Sequence, residues 1–292
     1  MTAAPRLVSE RVRVGDLEIH HTRGGRGSPL LLVHGLGSSG YIEWRYNLAD
    51  LARHHRVLAP DLPGFGRSDK PRTRYGVPFF ARTLDAYMER LRLRSAAVVG
   101  ASLGGRVAIE LALQRPARVS RLVLVNSLGL GRPRVRLYYP LMMMPRVGEA
   151  VMGLVREGVR RAPLEVVRRV AARHLGARAD AGHLIDEGYL ADIRELHSQR
   201  GFGEAYLATV RSLARLGSAV HNRDLADRLA RLDKPVMLIW GADDPLFPVE
   251  HALAAHRLIP DSRLEIVENA GHSPQAERPD DFNRLLRGFV GG

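Results

Sequence analysis

Along the chain, short apolar runs alternate with longer stretches in which apolar residues recur every three or four positions. The runs at 30–33, 56–59, 96–99, 122–125, 236–240 and 264–267 each stop at a polar residue, a glycine or a proline. Near-continuous apolar runs of this length suit strands buried on both faces of a parallel sheet. Residues 11–14 and 17–21 read as an N-terminal hairpin turning at Gly15-Asp16. Between the runs, 79–91 sets Phe80, Leu84, Tyr87, Met88 and Leu91 along one helical face. Residues 103–114 form a helical pattern that starts directly after Ser102 and stops before Pro116. Residues 251–258 and 279–289 are two further helix candidates. This alternation predicts an α/β fold, a mostly parallel sheet flanked by helices.

The stretch 128–230 departs from that rhythm. It has helical patterns, an apolar cluster at Leu141-Met142-Met143-Met144 and no strand-like run. It reads as a helical insertion after the sixth strand, which divides the chain into a core of 1–127 and 231–292 and an inserted segment of 128–230. No internal repeat or low-complexity tract interrupts either part.

Bulk properties narrow the class. At 292 residues, 45% hydrophobic and 26% charged, the chain has the make-up of a globular protein with a large core. No 18-residue apolar stretch could span a membrane, and Met1 to Glu10 lack a signal-peptide core, so the expected location is cytoplasmic. With no cysteine, disulfides, thiolate nucleophiles and cysteine-bound metals are excluded. The net charge of +13 raises the question of a nucleic acid or an anionic membrane. Lys70 and Lys234 are the only lysines, however, and the arginines are spread along the chain. That is the mark of a GC-rich coding bias, and no nucleic-acid partner is expected. Length and charge leave the oligomeric state open.

One pentapeptide carries chemistry. Gly100-Ala101-Ser102-Leu103-Gly104 follows a strand run and opens a helix, the context of a nucleophile elbow. In such a turn Gly100 and Gly104 must be small, because strand and helix approach closely. Ser102 is the candidate nucleophile, and a serine hydroxyl needs a base. Of twelve histidines, His272 is the best placed, in a loop after the last strand. His251 and His256 fall in a helical pattern and read as surface residues. His54, His55 and His221 have charged neighbours and read as solvated. His20 and His21 lie on the hairpin, expected to be far from the C-terminal edge of the sheet. The base needs an acid, and Asp243 and Asp244 both follow the run 236–240. Asp244 is preferred, with Asp243 as a turn former in Gly-Ala-Asp-Asp-Pro. Two N–H donors must hold an oxyanion. Leu103 supplies one; the glycine-rich His34-Gly35-Leu36-Gly37-Ser38-Ser39-Gly40 supplies the other, with Leu36 as the choice and His34 as a brace. The glycines and proline of segment 61–69 shape a loop, with Phe65 near the pocket.

Taken in order, His34-Gly35-Leu36-Gly37, Asp61-Leu62-Pro63-Gly64-Phe65-Gly66-Arg67-Ser68-Asp69, Gly100 to Gly104, Trp240-Gly241-Ala242-Asp243-Asp244-Pro245-Leu246-Phe247-Pro248 and Gly271-His272 resemble the α/β-hydrolase superfamily. The likeness covers about 14–290, with 128–230 interrupting it. It implies an eight-stranded sheet, Asp244 as the acid, and 128–230 as a lid over the site. Within the superfamily, epoxide hydrolases and haloalkane dehalogenases use an Asp nucleophile, where this chain has Ser102. The C–C hydrolases of aromatic degradation usually read Gly-Asn-Ser-Met-Gly, with Trp after the histidine; Ala101 and Ser273 stand here. An acid after the sixth strand, as in some lipases, is replaced by Asn126.

The expected activity is hydrolysis of carboxylic esters of small to medium acyl chains, with no metal or organic cofactor. The expected partner is a small-molecule ester, and Tyr138, Tyr139, Met142 and Met143 are candidate pocket residues. C–C bond hydrolysis, perhydrolysis or lactone opening with the same triad, and a slow-turnover ligand sensor remain alternatives.

Overall fold

The fold was described from a computed structural model, for residues 5–134, 138–175, 184–216 and 223–291. Strands are β1 Val8–Val14, β2 Leu17–Gly24, β3 Pro29–Val33, β4 Arg56–Pro60, β5 Ala96–Ala101, β6 Val119–Val125, β7 Val236–Gly241 and β8 Ser262–Val267. They form one eight-stranded sheet in the order β1-β2-β4-β3-β5-β6-β7-β8. β2 runs antiparallel to both of its neighbours, β1 and β4; β3 to β8 are mutually parallel. The helices on the core are α1 Gly40–Trp44, α2 Leu48–Leu51, α3 Val77–Arg90, α4 Leu103–Gln114, α11 Glu250–Leu258, α12 Pro274–Glu277 and α13 Pro279–Val290. Between β6 and β7 come α5 Tyr138–Met143, α6 Val147–Arg161, α7 Leu164–Leu175, α8 Glu187–Ser198, α9 Phe202–Leu216 and α10 Arg223–Leu229.

The strands are apolar on both faces because both faces are covered. Side chains alternate across a strand. Leu31, Val33, Val98, Leu122, Leu124 and Leu238 therefore join a core with Phe80 and Leu84 of α3 and Val107 of α4. Their neighbours Leu32, Val99, Val123 and Ile239 face the other way, against Trp44, Leu48, Phe282 and Leu286.

Register then sets the stage for chemistry. Val33 pairs with Gly100, Ala101 with Val125, Val125 with Ile239 and Gly241 with Val267. Central strands therefore end level with one another, and the loops that follow them emerge along a single edge of the sheet.

Three expectations need correction. The hairpin strands extend further than 11–14 and 17–21, since their alternation continues beyond the apolar core positions. His20 and His21 are not far from the C-terminal edge: β2 is antiparallel to β4, which pairs His21 with Pro60 at the end of β4. His55 is buried, not solvated, because α2 folds it back towards the sheet. His54 and His256 are exposed, and His221 lies outside the described residues.

Candidate active site

Ser102 sits in a tight turn between strand and helix. Its backbone is at φ +51°, ψ −115°, a region that L side chains rarely adopt. The neighbouring glycines show what imposes this. A Cβ on Gly100 would lie 2.3 Å from the Gly104 carbonyl oxygen, and one on Gly104 would lie 2.2 Å from that of Val33. Strand β5 and helix α4 are thus in backbone contact, and Ser102 turns sharply between them. Its N–H donates to Val125 O at 2.9 Å, and its carbonyl accepts Leu128 N–H at 2.9 Å, which ties the elbow to the end of β6.

Asp244 is buried, while Asp243 is exposed. Both carboxylate oxygens of Asp244 are occupied. Oδ1 accepts the N–H groups of Leu246 at 2.7 Å and Phe247 at 3.0 Å. Oδ2 accepts His272 Nδ1 at 2.9 Å and the Asn126 amide. A carboxylate holding this many donors has a fixed orientation. Because Asp244 only accepts, Nδ1 of His272 carries the proton and Nε2 carries the lone pair. Burial opposes the imidazolium of His272, but the hydrogen bond and charge of Asp244, helped by Glu43 and Glu277, outweigh it and raise the pKa above 6.5. Ser102 Oγ makes no hydrogen bond to His272 among the described residues.

The histidine loop is braced by a residue that the motif reading passed over. Glu277, in the single turn of α12, accepts Gly271 N–H at 2.8 Å and Ser273 N–H at 2.9 Å, the two amides that flank His272. Burial pushes its carboxyl up to about 6, against the pull of those two N–H donors. Asn126 was read only as the absence of an acid after β6. In the fold it sits at φ +40° and is fully buried. Its amide donates to Asp244 and to Gly271 O at 3.0 Å, and its Oδ1 accepts Gly241 N–H at 3.0 Å. One side chain thus joins the ends of β6 and β7 and the histidine loop.

On the other side of Ser102, His34 accepts Leu62 N–H on Nε2 at 2.8 Å and donates from Nδ1 to Gly35 O at 2.7 Å. Burial lowers its pKa, so it is a neutral brace. Asp61 accepts Gly40 N–H at 2.7 Å, Arg67 N–H at 2.8 Å and His20 Nδ1 at 2.8 Å. Glu43 accepts Gly35 N–H at 3.2 Å and Gln275 Nε2 at 2.7 Å. Leu36 follows this pinned Gly35, and Leu103 opens α4. Among the described residues neither of their N–H groups has an acceptor in the protein.

Several pocket expectations change. Phe65 is fully buried, its ring packed on His34, Phe80 and Phe202, so it is a packing residue and does not stand at a pocket surface. Met142 is buried and Met143 half-buried; the side chains of Tyr138 and Tyr139 lie outside the described residues. His251 is half-buried beside Phe247, and is not an open surface residue. A cavity of about 80 Å³ is lined by Ser38, Glu43 and Tyr46, by Ser273 and Gln275, and by Tyr189 of α8. No group of three metal-ligating side chains is assembled among the described residues.

An eight-stranded, mostly parallel sheet with a strained serine at a strand–helix turn, and an Asp–His pair on the loops of later strands, defines a hydrolase architecture. The chain belongs to the alpha/beta hydrolase fold family, whose pattern matches residues 28–279. It is similar to an uncharacterized protein of Mycobacterium tuberculosis, 32% identical over 91% of this chain and 76% of that one. It is also similar to 2-hydroxy-6-oxo-2,4-heptadienoate hydrolase of Pseudomonas putida, 30% identical over 99% of both chains. Among solved structures, a meta-cleavage product hydrolase from Pseudomonas fluorescens superimposes with a TM-score of 0.78 at 26% identity, covering 97% of each chain. No helix among the described residues is long and apolar enough to cross a membrane.

Proposed function

We propose that this chain is a serine hydrolase that cleaves carboxylic esters of small to medium acyl chains. His272 Nε2 takes the Ser102 proton as Oγ attacks the carbonyl carbon. The oxyanion is held by the N–H groups of Leu36 and Leu103. Collapse expels the alcohol, which takes its proton from His272, and a water activated by the same imidazole releases the acid. Asp244 keeps the imidazole in the right tautomer and stabilises it when charged. The observation that carries this reading is Asp244, locked by its donors onto His272 Nδ1, on the same sheet edge as a Ser102 held at φ +51°.

The helices α5 to α10 are proposed to act as a lid. Contacts between them and the core loops support this: Phe202 on Phe65, Tyr46 Oη donating to Leu184 O at 2.7 Å, and the ion pair between Arg67 and Glu195. The experiment is Ser102→Ala, assayed on p-nitrophenyl acetate and butyrate. A loss of about 10³-fold or more in kcat is expected, and wild-type turnover in the variant overturns the reading.

A second reading is hydrolysis of a C–C bond in a vinylogous diketone, since the Pseudomonas putida relative is a heptadienoate hydrolase. The same triad would serve. Cleavage of a dienoate ring-fission product faster than any ester in the panel would establish it.

A further inference from the structure

The nucleophile has a carboxylate beside it that the triad does not use. A Cβ placed on Gly35 would lie 3.3 Å from Ser102 Cβ and 3.5 Å from Glu43 Oε2. Ser102 and Glu43 therefore meet the same small residue. Glu43 also acts on His272, whose imidazolium it favours. Its two oxygens accept Gly35 N–H and Gln275 Nε2, so the group stands as an acceptor fixed in place. It lines the cavity that reaches from Ser38 to Ser273, next to His272, and no Arg, Lys or His stands among the described lining residues. Arg45, two residues on, is paired with Asp192 at 3.2 Å and Asp186 at 3.9 Å and lies over the rings of Tyr41, Tyr46 and Tyr189, so its charge is already shared with two carboxylates. Among the described residues Glu43 forms no ion pair with an arginine or lysine, and His272 is the titratable base that its charge acts on.

We infer that Glu43 makes the site read the charge of the acyl group: a substrate ending in a carboxylate is disfavoured, and one ending in a cation is favoured. This rests on the esterase reading above. Two like charges several ångströms apart in a partly buried site repel, and the repulsion reads out as a rate ratio of about tenfold. The dienoate and dienoic-acid substrates in the names of relatives carry a carboxylate, so the same charge weighs against them here.

The test compares p-nitrophenyl valerate, its monoglutarate counterpart and the 4-(trimethylammonio)butyrate ester, three acyl groups of similar length and different charge. In the wild type, kcat/KM should fall in the order cation, neutral, anion, with about tenfold or more between the ends. Glu43→Gln should narrow the cation-to-anion ratio about tenfold. An unchanged ratio in Glu43→Gln overturns the inference. So does a wild type that prefers the glutarate, a result that needs no variant to fold. If no ester turns over, the esterase reading falls separately. Labelling of Ser102 by neutral, carboxylate-bearing and ammonium-bearing fluorophosphonates then reads the same order without deacylation, and equal labelling rates overturn it.

Discussion

The edge of the sheet and the helices inserted between β6 and β7 are built on different principles. At the edge, the side chains that support Ser102 and His272 are each held by several partners at once. Asp244 holds four donors, Asn126 joins three loops, and Glu277 clamps both amides beside His272. In the inserted helices, apolar side chains remain open to solvent, with Leu154 at 74% and Leu141 at 45% exposure. Their polar ties to the core include one tyrosine hydrogen bond and ion pairs such as Arg67–Glu195, with side chains 52% and 42% exposed, while Leu196, Phe202, Ala205 and Leu207 pack in the same apolar cluster as the core strands. The contrast follows from what each region must do under the proposed mechanism. A relay tolerates little displacement, whereas a cover can be held by weak, replaceable contacts.

The sharpest break of that contrast is at Asn126. Replacing it with Ala removes the donors to Asp244 and Gly271 O and the acceptor for Gly241 N–H. A loss of about 10- to 100-fold in kcat/KM is expected, through misplacement of His272; steady-state kinetics with an unchanged circular dichroism spectrum checks it. A variant as active as the wild type would show that the edge is not held as tightly as described.

Glu277→Gln probes the same edge through pH. Removing this anion takes away support for the His272 imidazolium, so the acid limb of kcat/KM should move to lower pH. Stability gives a second readout. The folded carboxyl of Glu277, near 6, binds its proton more tightly than the ordinary 4.5. Its contribution is therefore complete below 4.5 and fades as pH rises through 6. The stability of the wild type relative to Glu277→Gln should fall by about 2 kcal/mol across that window. Denaturant titrations at pH 4 and pH 7.5 measure it, and a difference that grows with pH would contradict the assignment.

Arg67→Ala tests the other side. The pair with Glu195 is bidentate, at 2.7 and 2.8 Å, yet solvent-screened. A cost of no more than about 1 kcal/mol is expected, shrinking in high salt. A larger cost than that of Asn126→Ala, measured by thermal melts, would reverse the ranking of the two regions.

Much of the edge was legible in the chain because its signals are local. Gly100, Ser102 and Gly104 lie within one turn, where close approach leaves no room for a side chain. Spacing favours Asp244 over Asp243, and Asp244 is the buried one of the two. The residues missed or misplaced from the sequence have a common cause. Asn126, Glu43 and Glu277 act on partners brought to them by the sheet register and the loops, and His20 meets Asp61 only because β2 runs against β4. Phe65 looked like a pocket residue from its loop and is a buried packing residue, because Phe202 comes from far along the chain to cover it.

By itself, the sequence determined the strand runs, the sixth-strand interruption, the strained serine and the order in which serine, acid and histidine follow one another. These are properties of period, residue size and backbone freedom, and each is set within a few neighbouring positions. The tertiary structure alone decided which side chains share a carboxylate, which histidines are buried, and that a second anion, Glu43, stands beside Ser102. Those outcomes depend on register and loop path, which bring together residues with no periodic relation along the chain.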